Sequence, residues 1–368
     1  MKQRSRTAIS LFCGAGGMDV GFTRAGFEVV WSNDFDKDAC ATYEANFGPH
    51  VVCGDIDELI PTLDKHQGVD CVFGGPPCQG FSVAGKMDPN DERSKLVMSY
   101  MQVVEKVKPK VFVMENVKAL GVLSKFQLIR EELFKRAHDL GYHAELLILN
   151  SKDFGVPQSR ERMFLIGVKD KNYLGSLRDH IRAFERESLS VREIIAPLGP
   201  AGSETNSQTV NAKISIAKSP VLRKSPYAGM LFNGQGRPIN PDAHSSTLHA
   251  SMGGNRTPII DEEQLYHGKP AWVEKYHQHL LDGGESYPKD ATPKFLRRMT
   301  VDEAHLLQTF PDDFNFIGRQ SSVFRQIGNA VPCNLAEAVA KLALAAIEGT
   351  LADHQIDVDE NENLELSI

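Results

Sequence analysis

The sequence lacks a long apolar run. Although 41% of its 368 residues are apolar, no window approaches the roughly 18 consecutive apolar residues that a membrane-spanning helix needs. The first ten residues, MKQRSRTAIS, also lack the apolar segment of a secretory leader. We therefore expect a soluble, cytoplasmic protein with no membrane partner.

Cysteine pairs with metal-ligand spacing are also missing. The six cysteines stand at positions 13, 40, 53, 71, 78 and 333, with no C-x-x-C among them. This pattern argues against a zinc site or a disulfide framework and favours a reducing cytosol. His277 and His279 form an H-x-H in a polar stretch without further ligands nearby. We therefore expect two solvated histidines and no metal site.

The chain has no overall excess of positive charge. Its net charge is −7, which argues against a nucleic-acid partner because phosphate contacts come from Lys and Arg. Segment 351–368, however, holds six acidic residues and no Lys or Arg, and we predict that it is a disordered tail. Without it the charge is −1, and segment 201–256 carries +4. A basic face is thus available in mid-chain, although most faces of this charge are merely solvated.

Short apolar runs rich in β-branched residues fill the first half of the chain. They are TAISLF, FEVVW, HVVC, VDCVFG, VFVME, AELLIL and MFLIGV. Because helical periodicity alternates with them, they predict an α/β fold with a mostly parallel, doubly wound sheet and helices on both faces. The last two runs can pair as a hairpin. Segment 126–140 predicts a helix that Gly141 ends.

A change of composition near residue 191 divides the chain. Beyond it, Gly, Pro, Ser and Asn interrupt short apolar pieces, which predicts a second, smaller, loop-rich domain. Helical periodicity returns at Leu335, Val339, Leu342 and Ala346, so we expect this helix to close onto the first domain. The predicted division is a first domain at 1–190 completed by 325–350, a second domain with a hinge at 191–324, and the tail at 351–368.

A glycine-rich turn follows the first predicted strand. It runs from Phe12 through Gly14, Ala15 and Gly16 to Gly17 and opens a helix, where a ligand can lie against backbone amides. Asp19 occupies the place of the third glycine in a dinucleotide-binding G-x-G-x-x-G, which argues against a pyrophosphate. The turn alone does not select a cofactor.

Acidic residues follow the next two strands. Asp34 stands 20 residues after Gly14, where a carboxylate can accept both ribose hydroxyls, and Phe35 offers an aromatic face for adenine. Asp55 can accept a hydrogen bond from an adenine amino group, with Ile56 packed on the ring. Each acid alone is more typical of a turn. Because consecutive strand ends line one crevice, together they predict an adenosyl ligand.

Cys78 follows the fourth predicted strand in the segment Gly74-Gly75-Pro76-Pro77-Cys78. A cysteine on a rigid Pro-Pro turn at the carboxyl edge of a sheet is well placed to act as a nucleophile. The alternative, a buried unreactive thiol, fits Cys40, Cys53 and Cys71 better.

Charged residues also follow the next two strands. Glu115 ends the fifth, where partial burial would raise the pKa of its carboxyl and keep a proton available near neutrality. A helix-capping pair with Asn116 is the alternative. Arg160 and Arg162, in the segment QSRER after the sixth strand, suit surface ion pairs and anion clamps equally well.

Six sequence blocks resemble, in the same order, those of DNA (cytosine-5) methyltransferases of the bacterial restriction-modification type. They are the glycine turn, Pro77 to Gln79, Glu115 to Val117, Gln158 to Arg162, Arg298 to Phe314, and Gln326 to Val331. The resemblance covers nearly the whole chain. It implies the fold of S-adenosylmethionine-dependent methyltransferases, with a target-recognition domain and a cleft for double-stranded DNA between the two domains. We expect a monomer.

The resemblance also implies roles for individual residues. Cys78 would add to carbon 6 of a flipped-out cytosine, Glu115 would bind N3, Arg162 would hold the pyrimidine carbonyl, and Arg160 would support them. The implied cofactor-binding residues are Phe12, Gly14, Ala15, Gly16, Gly17, Asp34, Phe35, Asp55, Ile56, Pro77 and Asn329. The implied DNA-binding residues are Gln79, Ser82, Lys86, Gln235, Arg237 and Thr247.

Three other classes of protein fit parts of the sequence. Transfer-RNA methyltransferases of the same fold have a small second domain, whereas this chain devotes 191–324 to it. A catalytically silent DNA-binding protein would not need Cys78, Glu115 and Arg162 together. A nicotinamide-dependent oxidoreductase matches only the glycine turn and leaves the Pro-Pro-Cys segment unexplained.

Overall fold

A seven-stranded sheet forms the centre of the protein. The computed structural model describes residues 5–77, 95–169 and 176–353. Each of the seven predicted apolar runs forms one strand of this sheet. The strands are β1 (Arg6–Leu11), β2 (Phe27–Asp34), β3 (Val51–Cys53), β4 (Cys71–Gly74), β5 (Val111–Val117), β6 (His143–Asn150) and, after the short strand β7 (Gln158–Ser159) outside the sheet, β8 (Glu161–Val168).

The strand order is β3-β2-β1-β4-β5-β8-β6. The first five strands along the chain pair in parallel, whereas β8 runs antiparallel to both β5 and β6. The predicted hairpin between the last two runs is therefore confirmed. The order changes direction between β1 and β4, which opens a crevice at the carboxyl ends of these strands.

Helices cover both faces of the sheet. Those of the first half are α1 (Gly17–Arg24), α2 (Lys37–Phe47), α3 (Ile56–Leu59), α4 (Lys95–Val107), α5 (Lys118–Val122), α6 (Gln127–Asp139) and α7 (Leu177–His180). The predicted helix over 126–140 is α6, and Gly141 follows it with the positive φ of 81° that a glycine at a helix end readily adopts.

Alternate residues of the strands belong to two different cores. Phe73 of β4 packs with Phe22 of α1, the two rings stacked at 3.7 Å. The neighbouring Val72 points to the opposite face and packs with Val103 of α4 and Leu133 of α6. Because side chains alternate along a strand, a sheet buried on both faces needs uninterrupted apolar runs. This confirms the doubly wound α/β fold.

The region beyond residue 190 consists mostly of short elements and long loops. They are α8 (Val191–Ile195), β9 (Ile216–Val221), β10 (Met230–Phe232), β11 (Ser245–Ser246), β12 (Ile259–Asp261), α9 (Glu262–His267), α10 (Trp272–Leu281), β13 (Leu296–Arg298), α11 (Val301–Leu307), α12 (Gln320–Asn329) and α13 (Cys333–Glu348). Strands β9 and β10 pair antiparallel, as do β12 and β13.

The last two helices connect this region to the sheet. Val323 and Ile327 of α12 pack with apolar residues of the second region, including Leu248. Leu335 and Leu342 of α13 pack instead against the sheet, as the sequence periodicity predicts. The predicted boundary at 325 therefore falls inside α12. Most of the acidic tail, 354–368, lies outside the described residues.

One segment near the end of the chain meets the length and mean composition expected of a membrane span, although it contains no run of about 18 consecutive apolar residues. Among the described residues, Gln320–Glu348 is long and apolar enough to qualify by these two criteria alone. However, 67% of its most apolar window is buried inside the protein. Burial of α13 against the sheet accounts for this composition.

Two expectations about single side chains were wrong. Cys53 is exposed rather than buried, because it is the last residue of the edge strand β3. His277 is buried rather than solvated, since it lies one helical turn after the buried Val273 and its ring bonds a backbone carbonyl. His279 stacks on Tyr287 at 4.8 Å. The described part of the chain holds no group of three or more His, Cys, Asp or Glu side chains suited to a metal.

Candidate active site

A cavity of about 1220 Å³ opens at the carboxyl edge of the sheet. The ends of β1, β2, β4 and β5 line it, together with segment 247–250 and the end of α12. It lies at the reversal of strand order, the usual ligand position in an open α/β sheet. Most predicted site residues line this cavity. They are Phe12, Gly14, Ala15, Gly17, Asp34, Phe35, Asp55, Ile56, Pro77, Glu115, Arg160, Arg162, Thr247 and Asn329.

The glycine-rich turn presents its backbone to the cavity. Phe12 adopts φ 52°, a left-handed conformation that is unfavourable for an aromatic residue, and Gly14 adopts φ 54°. A Cβ added at Gly14 would meet nothing within 4 Å, so this side of the turn is open to a ligand. Gly16 does not line the cavity, because its Cα faces the Phe47 ring and a Cβ there would clash with it.

Asp34 joins the glycine turn to the end of β2. Its Oδ2 accepts a hydrogen bond from the Gly14 amide, and its Oδ1 accepts one from the Asp36 amide, both at 2.8 Å. Burial raises the pKa of the Asp34 carboxyl, while these two bonds oppose the rise. The adjacent Phe35 is 77% exposed at the cavity wall. An exposed aromatic ring beside a carboxylate suits the adenine and ribose of an adenosyl group.

The Asp55-Ile56 step forms the next part of the wall. Asp55 Oδ1 accepts a hydrogen bond from the Asp57 amide at 3.0 Å and caps α3, which is the turn role that the sequence also allowed. Ile56 is 2% exposed and packs in the core beneath the cavity. Both residues nevertheless line the cavity, so the cap does not exclude a ligand contact.

Glu115 and Arg162 form a buried ion pair in the cavity. Arg162 Nε lies 2.9 Å from Glu115 Oε1, and the two side chains are 14% and 12% exposed. The pair follows from the sheet register, which sets Val117 of β5 opposite Arg162 of β8. Burial raises the pKa of the Glu115 carboxyl, whereas the charges of Arg162 and Arg160 lower it. Glu115 is thus a carboxyl in the cavity wall whose affinity for a proton is increased by burial.

The segment leading to Cys78 lies against Glu115. A Cβ added at Gly75 would stand 2.8 Å from Glu115 Oε2. The side-chain amide of Asn116 donates to the carbonyl of Pro76 at 3.0 Å, so Asn116 fixes this segment rather than capping a helix with Glu115. Pro77 lines the cavity, and the predicted nucleophile Cys78 lies just outside the described residues.

Arg160 connects three distant segments. It is 2% exposed, and its guanidinium donates to the carbonyls of Leu248 and Gly328, both at 2.9 Å, and of Asn329 at 3.4 Å. Burial and the nearby charge of Arg162 lower the pKa of Arg160. Its Nε is buried and has no hydrogen-bond partner among the described residues. Arg160 is therefore chiefly a positioning residue, and a surface ion pair is excluded.

The predicted DNA-binding residues fall into three groups. Thr247 lines the cavity and donates to the Ser159 carbonyl at 3.1 Å. Gln235 and Arg237 are exposed and do not line it. Gln79, Ser82 and Lys86 lie outside the described residues.

Arg325 and His249 are two of the cavity residues that the sequence interpretation missed. Arg325 donates to Asp36 Oδ2 at 2.7 Å, an ion pair at the rim between α12 and α2. His249 also lines the cavity, and partial burial and the charges of Arg160, Arg237 and Arg162 lower its pKa. Arg325 immediately precedes the block that begins at Gln326, so the position beside a known block was the available signal. No pattern in the sequence singled out His249.

The fold is that of S-adenosylmethionine-dependent methyltransferases. It is similar to a crystal structure of a putative DNA modification methyltransferase encoded within an E. coli prophage, with a TM-score of 0.65 and 23% identity over 94% of this chain and 100% of that one. The S. pombe Dnmt2 methyltransferase gives a TM-score of 0.66 at 19% identity, over 94% and 99% of the two chains. At these identities the likeness concerns the fold alone.

The chain belongs to the family of C-5 cytosine-specific DNA methylases, whose family model matches residues 6–344. It is therefore an enzyme, a DNA (cytosine-5) methyltransferase. The Type II methyltransferase M1.HphI of Haemophilus parahaemolyticus is 34% identical, over 92% of this chain and 87% of its own. The Type II methyltransferase M.NgoPII of Neisseria gonorrhoeae is 33% identical, over 93% and 95%.

Proposed function

We propose that this enzyme transfers a methyl group from S-adenosylmethionine to carbon 5 of a flipped-out cytosine in double-stranded DNA, through a covalent bond between Cys78 and carbon 6. The observation that supports this best is the position of the buried Glu115-Arg162 pair. It lies against Gly75, in the segment that leads through Pro77 to Cys78. A thiol and a carboxyl with increased proton affinity are the two groups that this chemistry requires.

The cavity fits the proposed cofactor. Its backbone is open at Gly14, where a Cβ would meet no neighbour within 4 Å. Asp34 has both oxygens at the wall and accepts one amide hydrogen bond on each, which leaves lone pairs for the ribose hydroxyls. Phe35 and Ile56 supply apolar surface for adenine, and Pro77 and Asn329 complete the lining. When bound, S-adenosylmethionine supplies an electrophilic methyl group.

The protein groups act on the cytosine ring. The Cys78 thiolate adds to carbon 6, and electron density moves into the ring toward N3. Glu115, protonated or hydrogen-bonded at N3, stabilises this density, while Arg162 binds the pyrimidine carbonyl. Carbon 5 thereby becomes nucleophilic. After methylation, loss of the carbon 5 proton restores the double bond and expels Cys78.

The target base must leave the duplex to reach this cavity. Flipping costs a few kcal/mol, and we propose that the target-recognition domain at 191–324 and the segment with Gln79, Ser82 and Lys86 stabilise the opened duplex. Two features support this proposal. Arg237 is exposed, and its positive charge is among those that lower the pKa of His249 in the cavity. Arg160 links segment 247–250 to the sheet, because its guanidinium donates a hydrogen bond to the Leu248 carbonyl.

We also propose a biological setting. Relatives that align over most of both chains are named Type II methyltransferases, which supports a role for this enzyme as the methylating component of a restriction-modification system. It would act as a monomer in the cytoplasm, since one chain supplies both the cavity and the basic segment.

A mechanism-based trap tests the proposed function. A duplex whose target cytosine carries fluorine at carbon 5 permits addition of Cys78 and methylation, but the last step would have to expel fluorine as a cation. The enzyme should therefore remain bonded to DNA through denaturing electrophoresis, only when S-adenosylmethionine is present.

The control is Cys78→Ser, whose hydroxyl is a far weaker nucleophile near neutral pH and should give no adduct. An adduct with this variant would disprove the nucleophile assignment. Trapping on transfer RNA but not on duplex DNA would disprove the substrate assignment.

A further inference from the structure

Cys40 and Cys53 form a thiol pair that the proposed methyl transfer does not use. Cys40 belongs to α2 and is 6% exposed, whereas Cys53 ends β3 and is exposed. The Cys53 side chain lies close enough to Cys40 to contribute, after burial, to the raised pKa of the Cys40 thiol. The other described cysteines, Cys13, Cys71 and Cys333, are all buried. Cys53 is thus the accessible member of a dithiol.

Both thiols hydrogen-bond to the backbone of the cavity wall that we propose binds the adenosyl group. Cys40 Sγ donates to the carbonyl of Asp34 at 3.4 Å, and Cys53 Sγ donates to the carbonyl of Phe35 at 3.8 Å. In the sheet register Cys53 is the partner of Asp34. Cys53 also lines the cavity. A chemical change at either sulfur therefore acts directly on the Asp34-Phe35 step.

We propose that Cys40 and Cys53 are a modification site for peroxides, at which oxidation to a disulfide distorts the adenosyl end of the cavity and lowers cofactor affinity. The link to cofactor affinity rests on the proposed function, whereas the oxidation itself does not.

The chemistry proceeds in two steps. The Cys53 thiolate attacks one oxygen of hydrogen peroxide, so that an S–O bond forms, the O–O bond breaks and the released hydroxide takes up a proton to become water. Cys40 sulfur then attacks Cys53 sulfur, forming the S–S bond and breaking the S–O bond, and the hydroxide released combines with the Cys40 proton as a second water. Two thiols are oxidised by one electron each, and the peroxide is reduced by two.

The resolving step has a distinctive pH dependence. Burial and the neighbouring Cys53 raise the pKa of the Cys40 thiol, and only a thiolate attacks readily. Closure of the disulfide should therefore accelerate as the pH rises above neutrality. Once closed, the bridge has no S–H group left to donate to the Asp34 and Phe35 carbonyls, and it ties α2 to β3 across them.

Mass spectrometry of the full chain tests the site. The probe is hydrogen peroxide. The experiment uses the Cys78→Ser variant, because the Cys78 thiol would otherwise compete with Cys53 for the peroxide. The expected product is a peptide pair joined through Cys40 and Cys53, two hydrogens lighter than the reduced pair. Cys40→Ser should instead leave a sulfenic acid on Cys53 that dimedone traps. If Cys53 reacts no faster than the buried Cys71, or if the pair stays unlinked, the proposal is wrong.

Calorimetry with S-adenosylhomocysteine tests the consequence. Oxidation should weaken its binding by about tenfold or more, the equivalent of one to two lost hydrogen bonds, and dithiothreitol should restore it. The Cys40→Ser chain cannot form the bridge and should lose less affinity. Equal affinity of the oxidised and reduced parent would overturn the effect on the cavity. Failure of the reduced parent to bind would instead overturn the proposed cofactor, while the linked peptide still decides the thiol site.

Discussion

The guanidinium of Arg160 donates to the carbonyl of Leu248 across 2.9 Å, 88 residues along the chain. The same side chain donates to the carbonyl of Gly328 at 2.9 Å. One buried cation therefore joins the start of β8, a loop of the second region and the end of α12. It thereby fixes the position of the second region relative to the sheet.

Replacement of Arg160 by lysine should destabilise the protein. A lysine ammonium cannot place two donors as the planar guanidinium does. At least one buried carbonyl therefore loses its hydrogen-bond donor, at a cost of about 1–3 kcal/mol in the free energy of unfolding. Urea titration measures this change. The matched control is Arg136→Lys, in a half-exposed pair with Glu132 on α6, which should cost less than about 0.5 kcal/mol. Equal effects of the two substitutions would contradict the positioning role.

Replacement of Glu115 by glutamine should slow methyl transfer by roughly 10²-fold or more while cofactor binding stays intact. The amide keeps the shape of the carboxyl but delivers no proton to N3. Single-turnover rates and S-adenosylhomocysteine affinity separate the two quantities. Glu161→Gln is the control, because Glu161 pairs with Lys118 at the surface beside Arg162. A Glu115→Gln rate within threefold of the parent would remove Glu115 from this role.

Asp19 gives the protein a pH-dependent stability. Its carboxyl is fully buried, accepts hydrogen bonds from Ser10 at 3.0 Å and Tyr43 at 2.8 Å, and has its pKa raised by burial from 3.8 to about 7. Between these two values the folded protein retains a proton that the unfolded chain has released. The free energy of unfolding therefore falls as the pH rises through this window, and the contribution is complete only below it.

The Asp19→Asn substitution should remove this fall. The free energy of unfolding of the variant, measured relative to that of the parent, should rise by about 3–4 kcal/mol between pH 4.5 and pH 7.5. Each pKa unit corresponds to about 1.4 kcal/mol. Denaturant titrations at both pH values measure the difference. Glu44→Gln, an exposed carboxyl on α2, should keep the parental profile. Parallel pH profiles of Asp19→Asn and the parent would show that Asp19 is ionised throughout.

The sheet was predictable from the sequence because burial on both faces demands uninterrupted apolar runs, as in β4. The strand-end residues Asp34 and Glu115 were predictable for a related reason, since parallel strands bring their carboxyl ends to one edge. The exposure of Cys53 was not, because whether a strand lies at the edge depends on the order of the strands in the sheet. The same apolar composition occurs in edge and central strands.

Contacts between distant segments were the least predictable part of the site. Arg160 and Arg162 suited surface ion pairs and anion clamps equally well. Arg160 reaches its three carbonyls only because the loop at Leu248 and the end of α12, at Gly328 and Asn329, both meet it in the fold. The ion pair of Arg325 with Asp36 depends on α12 meeting α2, 289 residues earlier in the chain. No local pattern contains that information.

The basic residues of the second region should contribute phosphate contacts. Segment 201–256 carries +4, and Arg237 within it is exposed. Binding of duplex DNA should therefore weaken steeply with salt. Arg237→Ala and Arg256→Ala should each reduce the slope of log affinity against log salt by about one, because one fewer counterion is released per lost contact. Fluorescence anisotropy at several salt concentrations measures the slope.

The control for this series is Lys135→Ala. Lys135 pairs with Asp139 on the surface of α6, which does not line the cavity, so its loss changes the net charge equally without removing a phosphate contact. The parental slope should persist in this variant. If all three variants shared the parental slope, the face at 201–256 would be merely solvated. If all three variants lowered the slope of log affinity against log salt equally, net charge rather than a defined contact surface would govern DNA binding.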